Sequence, residues 1–429
     1  MNKVCQTPDW VRHTNVYEVN LRQYSGPGTI KAFEKELPRL QKMGVTTLWF
    51  MPLTPIAQKN KKGSMGSYYA CSDYTDVSQE FGTLQDFHGL VQQAHAFGFK
   101  VILDWVANHT GWDHVWTVEH PEWYEKDAVS GDFKKASGMD DIIELDFSNP
   151  EMRKAMIGAM QFWVRECDID GFRCDLAAWV ELFFWQEARP IVDAIKPLFW
   201  LGEFDEFENP DYMTVFDASY SWAWMHKTRD FYQHRLPLYE LDPILDGYHR
   251  AAQNGSMQIW FTTNHDENSW NGTEYDKYGD LAPALAVFSF TWSGIPLIYS
   301  GQELPNRKKL AFFEKDPIEW TGVYALEDFY RTLLHLHTSH PALAAGDIDT
   351  LPMRFSTTVN DKVYAYARKS GDRELLVIIN FSDHAGLALQ LNDDRVSGRY
   401  LDIFSGQEKD FDTDGSLVLN AWGYAVYVK

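Results

Sequence analysis

Four short segments of this 429-residue chain end in groups that could do acid–base chemistry. They are VILDWVANH (101–109), DGFRCD (170–175), FWLGEFDE (199–206) and IWFTTNHDE (259–267), each an apolar run that stops in carboxylates and histidine. An unpaired carboxylate removed from water costs several kcal/mol, so acids gathered at the ends of buried strands are there to work. A strand that is apolar along its length and functional at its C-terminal end belongs to a parallel α/β sheet. The (β/α)8 barrel, whose active site sits on that face, fits best.

The elements that must position these groups alternate along the chain. Strands are expected over 16–24, 45–53, 100–106, 170–174, 198–203, 213–217, 258–263 and 295–299, which makes eight. Helices are expected between them. In the segment 83–98, Leu84, Phe87, Leu90, Val91 and Ala94 recur at helical spacing, Thr83 and Asp86 form a capping box, and Gly98 stops the helix. Asn149 and Pro150 open another helix, with Met152, Ala155, Met156, Ala159, Met160 and Trp163 inward. Further helices are expected near 30–44, 179–195, 239–253, 281–292 and 324–338. Residues 107–147 are too long for an ordinary βα loop and read as a small inserted domain over the site. After Pro352 the pattern switches to strict alternation in short runs, an antiparallel β-sandwich. The expected domains are therefore a barrel from 1–106 and 148–345, an insertion at 107–147 and a C-terminal β domain at 350–429.

Composition narrows the function. With 45% apolar and 15% aromatic residues the chain can bury more than one core, and flat rings beyond packing needs suit the faces of sugars. A net charge of −22 opposes nucleic acid and anionic membrane, leaving a neutral substrate as the easier partner. Cys5, Cys71, Cys167 and Cys174 show neither C-x-x-C nor zinc spacing and read as reduced thiols. The opening MNKVCQTPDWVRHTN has no apolar leader, and no stretch is apolar enough to span a bilayer, so a cytoplasmic protein is expected. Oligomeric state is left open.

In order and spacing, the four segments resemble the signature regions of glycoside hydrolase family 13, the α-amylase family. DWVANH looks like the first region, GFRCD the second, GEFDE the third and TTNHDE the fourth. GVTTLWFMPLTPI (44–56), GSYYACSDY (66–74), EFGTLQDF (80–87), IIELDFSNPEM (142–152) and GIPLIYSGQE (294–303) resemble the second-strand region, a tyrosine-bearing loop, the following helix, the segment after the insertion and the eighth strand. The resemblance spans roughly residues 15–340, and the ordered set is specific where single pieces are weak. It implies a barrel with an inserted domain and a C-terminal β domain, acting with retention on α-glucans or maltooligosaccharides.

Retaining glycoside cleavage needs two carboxyl groups about 5–5.5 Å apart, one a nucleophile and one an acid/base. Asp175 is the expected nucleophile, with Arg173 two residues earlier on the same face holding it ionised and its pKa low. Glu203, beside Trp200, Phe204 and Phe207, has apolar neighbours that raise a carboxyl pKa; Asp205 and Glu206 compete with it, and family position chooses Glu203 as proton donor. By resemblance Asp266 is the third acid, His109 and His265 hydrogen-bond the reacting sugar, and Tyr69 stacks on it, with Tyr68 the alternative ring. Asp104 supports Arg173. Two departures stand out. Asp175 is followed by Leu-Ala-Ala-Trp rather than the Lys-His pair of calcium-dependent relatives, and Leu176 fits neither the α-1,4 nor the α-1,6 pattern at that position. No cofactor is required. Calcium is possible at Asn108, but its partners cannot be assigned among Asp127, Asp140 and Asp141. The alternatives are an α-1,6-glucosidase, a transglycosylase or disaccharide-rearranging enzyme, and a non-enzymatic carbohydrate-binding or transporter-partner homologue. The last is disfavoured because all three acids are present.

Overall fold

A computed structural model describes residues 4–391 and 393–429. The first three residues of the opening segment and Asn392 lie outside that description. Eight parallel strands close into a barrel: β1 Val16–Val19, β2 Thr47–Phe50, β3 Lys100–Trp105, β4 Gly171–Cys174, β5 Phe199–Asp205, β6 Ala218–Tyr220, β7 Met257–Trp260 and β8 Ile295–Tyr299. Each strand pairs with its sequence neighbour, and β8 returns to β1 with Val16 opposite Leu297. Successive side chains of a strand point to opposite faces. One set, among them Val16, Trp49, Ile102, Leu201, Ala218, Ile259 and Leu297, fills the barrel as one buried cluster. The other, including Val101, Leu103, Phe172 and Trp200, joins the larger core under the helices.

The helices start and stop where their sequences dictate. Thr83 and Asp86 form the reciprocal capping box of Leu84–Ala96, and Gly98 takes φ +87° just after it. The Asn149 side chain accepts from the amides of Glu151 and Met152, with Pro150 in the first turn of Pro150–Cys167.

Several expectations needed correction. The first strand is shorter than 16–24, because Asn20 caps a helical turn over Leu21–Tyr24. The sixth strand is Ala218–Tyr220, not 213–217; Pro210–Thr214 is a 3-10 turn, and Asp217 anchors the entry by accepting from Arg189 Nη2 at 2.9 Å and the Trp200 amide at 2.9 Å. A helix over Trp222–His234, unforeseen in the sequence, follows it.

Residues 107–147 carry a two-stranded antiparallel sheet, His109–Gly111 against Ile142–Glu144. Rings pack around it: Trp116 edge-on to Trp123 at 5.0 Å, Trp123 stacked under His120 at 3.9 Å, and Tyr124 on Phe133 at 5.0 Å. The C-terminal region is a six-stranded antiparallel sheet with a two-stranded sheet, Leu387–Gln390 and Ser416–Leu419, laid over one face. The other face contributes Tyr364, Tyr366, Leu375 and Val377 to the core shared with the barrel helices. No helix among the described residues is long and apolar enough to cross a membrane.

The β4–β5 pair tolerates no side chain at Gly171, where a Cβ would meet the Phe199 carbonyl oxygen at 2.2 Å. Gly171→Ala should therefore destabilise the barrel by about 1–3 kcal/mol, read as a fall in thermal midpoint. An unchanged midpoint would mean that these strands can separate without cost.

Candidate active site

The pleat that fills the barrel also builds the site. Two residues beyond interior positions on their strands come Glu18 on β1, Asp104 on β3, Arg173 on β4, Glu203 on β5 and Tyr220 on β6, all facing the same way at the C-terminal mouth. Between β5 and β6 the register shifts from Leu201 to Asp205, a bulge flanking Glu203. Asp175 lies just past β4 and is fixed by its own amide, which donates to the Trp105 carbonyl at 2.9 Å. Leu176, next in line, adopts the left-handed region at φ 43°, unusual for a bulky residue. That turn aims its amide at Glu203 Oε2, 2.9 Å away.

Arg173 is fully buried at the centre. Its Nη1 donates to Asp104 Oδ1 at 2.9 Å and to Asp175 Oδ1 at 2.8 Å, and its Nε donates to the Tyr220 hydroxyl at 3.0 Å. Its Nη2 lies 2.9 Å from Glu203 Oε2 as an ionic contact without hydrogen-bond alignment. A second chain meets the first: His265 Nδ1 is 2.5 Å from Glu18 Oε1, and His265 Nε2 is 2.7 Å from the Tyr69 hydroxyl and 3.1 Å from Asp266 Oδ2. The Tyr69 hydroxyl in turn donates to Asp104 Oδ2 at 3.1 Å.

These contacts set the protonation states. Burial pushes Glu203 up to about 7, against the pull of Arg173 and with the push of Asp175 and Asp266. Burial likewise pushes Asp175 up to about 6, with Arg173 pulling down and Asp104 and Asp266 pushing up. The expectation that Arg173 keeps Asp175 low is thus corrected, because desolvation outweighs a cation shared among several acids. The order survives, with Glu203 the later of the two to lose its proton. For Asp266, burial raises the pKa but His265 more than offsets it, and the net shift is downward. Burial works against the His265 imidazolium, yet Asp266 and Glu18 hold its pKa well above 6.5.

A cavity of about 400 Å³ opens onto this cluster, with Tyr69, His109, Asp175, Leu176, Glu203 and Asp266 in its wall. A larger cleft, about 760 Å³, lies at the opposite end of the barrel beside Trp10, Lys100 and Lys196, away from the acids. The structure brings together all seven residues singled out in the sequence, at two depths. Tyr69, His109, Asp175, Glu203 and Asp266 reach the cavity, whereas Arg173 and His265 sit beneath its surface, 0% and 1% exposed. Tyr68 is buried under the Arg22 guanidinium, 4.0 Å from its ring, and packs the loop. Burial lowers the His109 pKa to about 4, so its imidazole is neutral, and its buried Nε2 has no hydrogen-bond partner among the described residues. Asp205 is taken by the Tyr248 hydroxyl and the Phe207 and Ala223 amides, and Glu206 by Ser256 and Gln258. The apolar neighbours expected around Glu203 do not supply its burial. Trp200 and Phe204 point to the outer face, and Phe207 is 41% exposed, stacked on Tyr248.

Sequence reasoning missed Glu18, Tyr220 and the distal wall. Glu18 had a signal, a lone acid in an apolar strand. Phe312 and Phe313, which extend the ring surface from Tyr69, come from a long loop with no periodicity to mark them, and Trp270, packed on Phe312, from the short helix His265–Asn271.

The acids weighed as calcium partners are engaged away from Asn108. Its side-chain amide contacts His109 Nδ1 at 3.3 Å, Asp141 pairs with Lys62 at 2.6 Å, Asp140 pairs with Lys135 at 2.5 Å, and Asp127 caps its own turn. Among the described residues no three His, Cys, Asp or Glu side chains converge as an ion would need.

A parallel barrel with convergent carboxyl groups at its C-terminal mouth, under an inserted segment and beside a β-sandwich, defines a barrel glycosidase. Residues 12–138 and 121–329 match the family model described as the α-amylase catalytic domain, and residues 357–426 match the α-amylase C-terminal all-β domain. The chain belongs to the α-amylase family. It is 27% identical over 418 residues to α-amylase 2 of Dictyoglomus thermophilum, covering 91% of this chain and 69% of that protein. Among solved structures it resembles a maltogenic α-amylase from Thermotoga neapolitana, with 27% identity, TM-score 0.85, and 98% and 97% of the two chains covered. An α-amylase from Lactobacillus plantarum gives the same identity and TM-score over 98% and 100%.

If Glu18 and Asp266 hold the proton on His265, Glu18→Gln should move the imidazole pKa downward. Nitrogen-15 NMR should find His265 cationic through neutral pH in the native protein and titrating at lower pH in the variant. A neutral His265 in the native protein would remove the charge that keeps Asp266 ionised.

Proposed function

We propose that this chain hydrolyses α-glucosidic bonds of maltooligosaccharides and α-glucans with retention, through a glycosyl-enzyme on Asp175. The observation that carries this reading is one buried guanidinium contacting two cavity-facing carboxyl groups, the one at Asp175 titrating near 6 and the one at Glu203 near 7. At intermediate pH the pair holds one proton, and it resides on Glu203. Because Glu203 Oε2 accepts the Leu176 amide, Oε1 is left to carry that proton toward the glycosidic oxygen.

Cleavage then proceeds in two steps. Glu203 gives its proton to the glycosidic oxygen as Asp175 bonds to the anomeric carbon and the leaving sugar departs. Glu203, now a carboxylate, takes a proton from water, whose oxygen attacks the same carbon and frees Asp175. Asp266, ionised and 35% exposed to the cavity, accepts from the sugar's hydroxyls, and His109 offers its unpartnered Nε2 to the same ring. Tyr69 presents its face.

Three measurements test this. Asp175→Asn should lose on the order of 10³-fold or more in kcat with its fold intact, and a fluoroglycoside should label Asp175. Labelling of another acid would remove it from that role. The pH profile of kcat/KM should be a bell. Activity rises as Asp175 ionises through about 6 and falls as Glu203 deprotonates through about 7. Glu203→Gln should abolish the alkaline limb and be partly rescued by azide, which needs no base. A surviving alkaline limb would place the proton donor elsewhere.

The inserted segment, on this reading, is held by its rings and ion pairs rather than by a cation. Exhaustive dialysis against a chelator should leave activity in place and move the thermal midpoint by less than about 2 °C. A fall of many degrees, reversed by calcium alone, would reveal an ion site built on Asn108.

A further inference from the structure

We propose that this enzyme attacks glucan chains from their non-reducing ends, in a pocket whose far wall is closed by the Lys62–Asp141 ion pair and whose opening lies on the Glu203 side. The inference rests on the mechanism above, which gives the cavity a direction. The sugar bonded to Asp175 carries the non-reducing part of the chain, and the part that leaves runs off past the acid that protonates it.

The barrel order puts walls and opening on opposite sides. β8, β1, β2 and β3 are consecutive neighbours, as are β4, β5, β6 and β7. The loops after β2, β3 and β8 are stitched together above the first half. Gln58 and Lys59 amides donate to Asp113 at 2.9 and 3.0 Å, joining the β2 loop to the insertion. The Ser64 amide donates to Glu314 at 2.9 Å and the Met65 amide to the Phe313 carbonyl at 3.0 Å, joining the β2 loop to the β8 loop. Lys62 lies where the three loops meet, its Nζ 2.6 Å from Asp141 Oδ1 and 5.9 Å above the Phe313 ring, and all three residues line the cavity. The Asp141 side chain is 6% exposed and the Lys62 side chain 37%, so the pair stands at the edge of the cavity.

Beyond Glu203 lies further open surface. Asp205 and Glu267, which follow Glu203 and Asp266 in the chain, border a separate cleft of about 580 Å³ with Phe207, Trp222 and His226 on its sides. Its rings, with Phe207 41% exposed, are suited to the faces of departing sugars. The closed side is small. The whole cavity, acids included, is about 400 Å³, near the lower end of ligand pockets.

The test compares maltoheptaose with the same chain blocked at its non-reducing end by a 4,6-ethylidene group, products being followed by chromatography on the full-length enzyme. The native enzyme should cleave the blocked chain at least about tenfold more slowly, because the block meets the wall, and its early products from the free chain should be of one short length. Lys62→Ala and, separately, Asp141→Asn should raise the blocked-to-free rate ratio several-fold, with thermal unfolding confirming that each variant is folded. Equal rates on the two chains, or products of many lengths from the start, would overturn the proposal. So would a ratio unchanged in both variants, since the ion pair would then not be the wall. Failure to cleave either chain would instead overturn the glycosidase reading on which the proposal rests.

Discussion

Five carboxyl groups share two cations at the mouth of this barrel, and the site's behaviour follows from that shortage. Glu18, Asp104, Asp175, Glu203 and Asp266 surround Arg173 and His265, and the two cations are at most 1% exposed. Water cannot screen the surplus negative charge, and each further ionised acid costs more than the last. The cluster therefore keeps a proton near neutral pH. Which acid keeps it is decided by burial set against each acid's share of the cations. Asp266 lies against the His265 imidazolium and gives its proton up early, whereas Glu203 has an edge of a guanidinium already engaged by two other acids. A glycosidase needs one ionised carboxyl and one protonated carboxyl side by side, and a fixed deficit of positive charge supplies that state without a dedicated residue for it.

Such a deficit is tolerable because the scaffold holds the groups where strands end. Glu18, Asp104 and Glu203 are placed by the pleat of strands whose earlier residues pack the barrel interior, so shifting Glu203 would require moving Leu201 beneath it, while Asp175 lies just past β4 and Asp266 in the helix His265–Asn271 beyond β7. An irregular feature, Leu176 at positive φ, sits between the two carboxyl groups and directs an amide at Glu203. Strain at such a position is consistent with a backbone over-determined by its neighbours, where orientation matters more than local comfort.

Much of this was legible in the sequence because strand ends concentrate two conflicting tendencies, apolar burial and charge, that seldom coincide otherwise. VILDWVANH and DGFRCD carried their meaning locally, and Asn149-Pro150 and Thr83/Asp86 were helix starts with a mechanism. The misplacement of the sixth strand has a physical cause as well. MTVFD reads as a strand by propensity, but Asp217 is tied to Arg189 and the Trp200 amide, so pairing begins only at Ala218. Asp175 shows a different limit. A neighbouring arginine predicts a low pKa until the number of acids sharing it is known, and that number is a property of the closed barrel. Lys62, Phe312 and Phe313 were invisible because long loops gain their neighbours from tertiary structure rather than from spacing.

The two depths of the site divide its labour. Glu18, Asp104 and Arg173 lie on strands and His265 just beyond β7, all nearly inaccessible, whereas the outer wall of the cavity comes from the loops after β2, β3 and β8, with Trp270 in the helix beyond β7. A change at Lys62, Phe312 or Phe313 can lengthen, shorten or redirect the cavity without touching the contacts of Arg173 with Asp104, Asp175, Glu203 and Tyr220, whereas Trp270 hydrogen-bonds Asp266 and so reaches the acids. The reverse does not hold. Altering Asp104 or Glu18 would redistribute charge over every acid in the cluster, whatever sugar the loops admit. Substrate range can thus vary on this framework while the chemistry stays constant, and similarity in the barrel alone reports the reaction more securely than it reports the chain length on which the reaction acts.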